Sequence, residues 1–185
     1  QSPVRKFIDT LYLSPLLFPL KPHQKIWKEY KIISEDEQNN PYLDSVLARK
    51  LLDEEVSIFN KLDNRLKSIY YALLYDKREF KDFFKYIDFS MDCDCTKLIK
   101  EYFKDRICAN ADVAKYVADY PIELAYSLAL INTAETKFVT PYWVLWKFPR
   151  VENVIHSLRN RRCIEGCNYC NNTINPLKAL NKYFN

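Results

Sequence analysis

The chain has 185 residues, 48% hydrophobic and 15% aromatic, with a formal net charge of +4. That composition is too apolar for a disordered segment, and the length allows one domain with a substantial core. With 1 glycine and 2 histidines, where average usage gives about thirteen glycines, it excludes glycine-rich phosphate loops, a G-x-S-x-G elbow and an H-E-x-x-H site. The sequence does not read as a complete enzyme.

Residues 1–43 are punctuated by Pro3, Pro15, Pro19, Pro22 and Pro41. They read as an irregular segment lying extended on a helical body, with a short helix around Gln24–Ile33. The apolar run Leu11–Leu20 is interrupted by Ser14, Pro15 and Pro19, so it has neither the roughly eighteen residues of a membrane span nor the form of a signal-peptide core. Ser34-Glu35-Asp36-Glu37 has capping-box spacing, but the following Gln38-Asn39-Asn40-Pro41 points to a loop.

Residues 44–160 read as a helical domain. Val46, Leu47, Leu51, Val56, Ile58, Phe59 and Leu62 recur mostly on one helical face, with charged residues opposite. Leu66, Ile69, Tyr70, Leu73 and Leu74 mark a second helix, and Phe80, Phe83, Phe84 and Ile87 a third. Aromatic stripes at this spacing are read as core. After a break at Met91–Cys95, Thr96 is predicted to cap a helix carrying Leu98, Ile99, Tyr102 and Phe103. Asp112 starts the next, and Pro121 restarts it before Leu124, Leu128 and Ile131.

Thr140-Pro141 supplies a capping hydroxyl followed by proline at the first helical position. Phe148-Pro149 opens a helix with Val151, Val154, Ile155 and Leu158 inward, and Asn175-Pro176 opens the last, with Leu177, Leu180, Tyr183 and Phe184. The expected fold is all-α: an irregular bundle of about eight helices. Residues 161–185 are expected to form a cysteine-rich metal-binding loop and a final helix.

Six cysteines are present. Cys163, Cys167 and Cys170 form C-x3-C-x2-C, close enough for a short loop to wrap successive thiolates around one ion. Gly166 lies inside this motif, where a positive φ lets the backbone turn sharply. A tetrahedral zinc site needs a fourth ligand: Cys93 is taken first, with Cys95, Cys108 and His156 as alternatives. An iron–sulfur cluster also takes thiolates. The motif, with an aromatic before its last cysteine, is similar to the radical-SAM signature, although only 15 residues follow Cys170 here. Three disulfides in a secreted helical protein are a further alternative.

Charge is uneven. Residues 1–140 hold 21 basic and 22 acidic residues, whereas residues 141–185 hold 7 and 2. The excess surrounds the cysteine motif, with Arg159, Arg161 and Arg162 directly before it. Such a patch can neutralise nucleic-acid phosphates, or it can complement a helix dipole. Arg150, Lys178 and Lys182 extend the patch. Trp143, Trp146 and Tyr169 are possible stacking residues, with core packing expected for both tryptophans.

Cys167-Asn168-Tyr169-Cys170-Asn171-Asn172, followed by Asn175-Pro176-Leu177-Lys178-Ala179-Leu180-Asn181-Lys182-Tyr183-Phe184, resembles the segment leading into the helicase core of RecQ-type, superfamily 2 DNA helicases. Leu180 and Tyr183-Phe184 match that family's L-x-x-x-(F/Y)-F-G helix, and Asn185 stands where glycine is usual. The resemblance implies a bacterial ATP-dependent motor whose F-R-x-x-Q motif, Walker lysine and DEAH-type box would lie beyond Asn185. The first residue, Gln1 rather than Met, is read as the start of a cut-out fragment, a processed protein or a sequence missing its first residues. On this reading the chain is a non-catalytic, zinc-stabilised accessory domain that helps bind or guide DNA. Its partners would be DNA and the helicase core of the same polypeptide, with no membrane contact, in the cytoplasm. The alternative functions are an intracellular zinc-stabilised protein-interaction module and a secreted disulfide-bonded protein.

Overall fold

Aspartate side chains set several of the helix starts. A computed structural model describes residues 7–20, 41–133, 140–161 and 163–173. Within it Asp9 accepts a bond from Leu11 N at 3.0 Å and opens α1, Thr10–Leu17. After α2, Pro41–Lys61, Asp63 accepts from Arg65 N at 2.8 Å and opens α3, Asn64–Leu74. Following α4, Lys81–Tyr86, Asp94 accepts from Lys97 N at 3.0 Å at the head of α5, Cys95–Tyr102. Asp112 caps α6, Val113–Asp119, through Lys115 N at 3.2 Å. Each cap satisfies an N–H that the helix leaves without an internal partner.

Proline and a changed helical pitch shape the rest. Pro121 opens α7, Pro121–Asn132, at a position where its missing N–H costs nothing. Then come α8, Tyr142–Lys147, and α9, Val151–Ile155, which runs directly into a five-residue π-helix, His156–Asn160. The last, α10, spans Asn168–Thr173. The described residues therefore form ten α-helices and no strand, an all-α architecture as expected.

Helix α7 is the axis of the packing. Every residue from Leu124 to Ile131 is buried, as expected for a helix surrounded by others. It packs against α9, α3, α1 and α6. Ser127 is accommodated there because its hydroxyl lies 2.7 Å from Glu123 O and 3.0 Å from Val151 O.

Edge-on aromatic pairs fill the core. Phe59 meets Phe83, Phe84 and Phe89 at centroid distances of 5.6, 5.9 and 5.4 Å. Tyr126 meets Phe148 at 5.6 Å and Phe80 at 6.3 Å, and its hydroxyl donates to Tyr12 O at 2.9 Å. The aromatic stripes are thus core, as the sequence suggested.

Four local expectations change. Residues 10–17 form a helix rather than an extended strap. Pro15 lies inside it, but Leu13, Leu16 and Leu17 are buried, and burial of this size outweighs one lost backbone bond. Asp94, not Thr96, caps α5, and Pro141 precedes α8 instead of starting it. The two tryptophans differ: Trp143 packs on Tyr12 at 5.6 Å, whereas Trp146 is 77% exposed. The predicted Gln24–Ile33 helix, the 34–37 capping box and the helix from Asn175 lie outside the described residues.

Candidate metal centre

The π-helix at the end of α9 makes the site possible. Its wider turn carries Arg161 N to His156 O at 3.1 Å, and the buried Leu158 turns its carbonyl to a neighbouring loop. There it accepts the N–H of Cys108 at 2.7 Å. That loop leaves α5 through Phe103 and Ile107, both buried, so Cys108 is held by core packing on one side and a backbone bond on the other.

The chain then turns back at 163–167. Gly166 N donates to Cys163 O at 3.4 Å, and Gly166 takes φ 68°, a conformation that costs glycine little. A Cβ there would stand 3.3 Å from Asn171 Oδ1. Helix α10 follows directly and is pinned by Tyr169, whose buried ring places its hydroxyl 3.1 Å from Arg159 O, to which it donates. Arg159 Nε in turn donates to the same hydroxyl at 3.4 Å.

These constraints bring the thiols of Cys108, Cys163, Cys167 and Cys170 together, with all four sulfurs within 4.8 Å of one another. Cys108 and Cys167 stand 3.8 Å apart. Four thiolates around a tetrahedral ion at the usual zinc–sulfur length would be about 3.8 Å apart, while a disulfide requires about 2 Å. Cys108, Cys167 and Cys170 are buried and Cys163 is half-exposed. The four can bind a metal ion.

Backbone donors tune the sulfurs. Cys167 N donates to Cys163 Sγ at 3.2 Å and Cys170 N to Cys167 Sγ at 3.4 Å, while Asn110 Nδ2 approaches Cys163 Sγ at 3.5 Å. Desolvation opposes ionisation of Cys167, but the N–H groups of Cys170 and Ala109 outweigh it and hold this thiol down to about 6. Cys163 is also lowered: desolvation works against it, and the Asn110 amide and the Cys167 N–H overcome that effect. Burial pushes Cys108 up to about 12 and raises Cys170 as well. Two sulfurs are thus shifted toward the thiolate and two away from it, and a cation among them would favour the thiolate at all four.

The fourth position is therefore Cys108, not Cys93. The Cys93 thiol instead contacts Ser68 O at 3.9 Å, and Cys95 is the half-buried first residue of α5. His156 is exposed and outside the group. Sequence spacing gave no reason to prefer Cys108; the Cys108–Leu158 backbone bond that selects it is visible only in the fold. In the basic segment, Arg161 is exposed and Arg159 is spent on Tyr169. Tyr169 is buried and so presents no stacking face. Arg150 is exposed and lies 4.5 Å from the Tyr120 ring centroid. Arg162, Lys178 and Lys182 lie outside the described residues.

No protein-family model, curated protein or solved structure matches the chain. No helix among the described residues is long and apolar enough to cross a membrane.

Proposed function

We propose that this chain is a non-catalytic, zinc-stabilised helical accessory domain that helps bind or guide DNA ahead of a RecQ-like helicase core. The observation that carries the stabilising part is the four-thiol cage, whose sulfurs lie within 4.8 Å of one another. That spacing suits one ion held by four thiolates. A multi-iron cluster spreads its cysteines over several metal atoms and needs a wider cage. The ion would tie the α5–α6 loop to residues 163–170, joining segments far apart in the chain, and its binding energy would add to folding energy. Four protein ligands would leave no open position for substrate.

The DNA-handling part is supported by charge and by the C-terminal resemblance. Seven basic residues against two acidic ones fall within 141–185, and Arg161 is exposed beside the cage. Helicase chemistry, ATP hydrolysis coupled to unwinding, would belong to a core outside this chain. Binding to a labelled forked DNA should be salt-dependent and should be lost when Arg161 and Arg162 are both changed to Glu. Unchanged affinity in that variant would remove the basic-patch argument.

One observation favours the second reading, a metal-stabilised protein-interaction module. Ile164 at the tip of the cysteine turn is fully exposed, beside a cleft of about 340 Å³ lined in part by Tyr116, Ser157 and Arg161. Absence of DNA binding by a fully metallated protein would favour this reading.

A further inference from the structure

Two aromatic side chains stand out from the surface of α8. Tyr142 is 83% exposed and Trp146 77% exposed, although both carry large apolar rings. They are one helical turn apart, so both lie on one face, with Cβ atoms roughly 5–6 Å apart. The opposite face fixes the helix to the body. Val144 is buried, Trp143 packs edge-on against Tyr12, and Phe148 just beyond the helix meets Tyr126. Lys147 is held between the Tyr12 hydroxyl and Glu79. The exposed rings thus sit on a short helix clamped at several points, with little freedom to fold inward.

We infer that Tyr142 and Trp146 form a stacking platform for two successive unpaired bases of a single-stranded nucleic acid. The inference rests on the DNA-handling reading above and adds to it the strand type and the contacting residues. Charge complementarity selects this occupant. Residues 140–161 contain four basic residues and one acidic one, whereas residues 41–133 contain 14 basic and 16 acidic. Arg150 follows the platform in sequence and is exposed over the Tyr120 ring, where it suits a phosphate next to the stacked bases. Aromatic faces spaced along a basic track are the general means of holding single strands without reading sequence. A duplex keeps its bases stacked inside and gains nothing from the rings.

The test uses the metallated full chain and fluorescein-labelled 20-nucleotide oligo(dT), read by anisotropy, with a 20-base-pair duplex as comparison. The wild type should prefer oligo(dT). Y142A/W146A should weaken oligo(dT) binding at least tenfold with little effect on duplex binding, and Y142F/W146F should restore most of the loss. Retained circular dichroism and metal content would show that Y142A/W146A is folded. Unchanged oligo(dT) affinity in that variant would overturn the platform while leaving the DNA-handling reading intact. No binding of either DNA by the wild type would overturn both. A concentration-dependent dimer in analytical ultracentrifugation that Y142A/W146A abolishes, with oligo(dT) affinity unchanged, would reassign the rings to self-association.

Discussion

The Cys108 thiol lies 3.8 Å from that of Cys167, 59 positions later in the chain. Between them the chain completes α6 to α9 before the π-helix returns Leu158 to the Cys108 backbone. If this contact completes a metal cage, Cys108→Ser should lose the ion as fully as Cys163→Ser, Cys167→Ser or Cys170→Ser. Cys93→Ser and Cys95→Ser should retain it. Metal content after gel filtration, measured for all six variants, distinguishes the two groups.

Gly166 takes φ 68°, and a Cβ there would press on Asn171. Left-handed backbone costs a side-chain-bearing residue roughly 1–2 kcal/mol, a cost borne by the cysteine turn and not by the core. Gly166→Ala should release the ion to a chelator faster than wild type, and Gly166→Val faster still, with helical content retained in both. Equal release rates in all three proteins would show that the turn tolerates a side chain.

How far the molecule was legible in sequence follows from which forces are local. Asp112 as a cap, Pro121 as a helix start and the Phe80, Phe83, Phe84 stripe depend on neighbours a turn away, and each could be read directly. The three clustered thiols were legible for the same reason. Cys108 was not, because its selection depends on a long-range backbone bond to Leu158 and on the π-helix that frees that carbonyl. Helix α1 was missed because Pro15 lowers local helicity, while burial of Leu13, Leu16 and Leu17 against other helices restores it. Trp146 was expected in the core because composition does not reveal which side of a short helix faces outward.

Glu55 of α2 is fully buried, and burial pushes its carboxyl up to about 8 from an ordinary 4.5, with Asp9 and Glu54 adding to the rise against the Ser14 bond. The geometry agrees. Ser14 Oγ carries one proton but lies 2.8 Å from Glu55 Oε1 and 3.1 Å from Thr10 O. A protonated Glu55 can donate to Ser14, which then donates to Thr10. A raised pKa makes this contribution complete below about 4.5, and it is lost as pH rises through about 8. Unfolding free energy should fall by about 2 kcal/mol between roughly pH 6.5 and 8.5. Glu55→Gln should flatten that slope in urea titrations; an unaltered slope would assign the pH dependence to other groups.

Phe59 is fully buried among Phe83, Phe84 and Phe89. Truncating it leaves a ring-sized cavity. Phe59→Ala should therefore cost about 3–5 kcal/mol in denaturant unfolding. The folded variant should still carry the same amount of metal as wild type, since the cage is built from other elements. Loss of metal at low denaturant would mean that the core and the cage fold as one unit.

The cage of Cys108, Cys163, Cys167 and Cys170 is proposed to hold a single zinc ion. The most direct measurement is elemental analysis of the purified chain, paired with thiol titration under denaturing conditions without reductant but with chelator. The expected result is one zinc per chain, with all six cysteines titrating as free thiols. Metal-free protein with its cysteines in disulfides would contradict it, and so would iron in place of zinc.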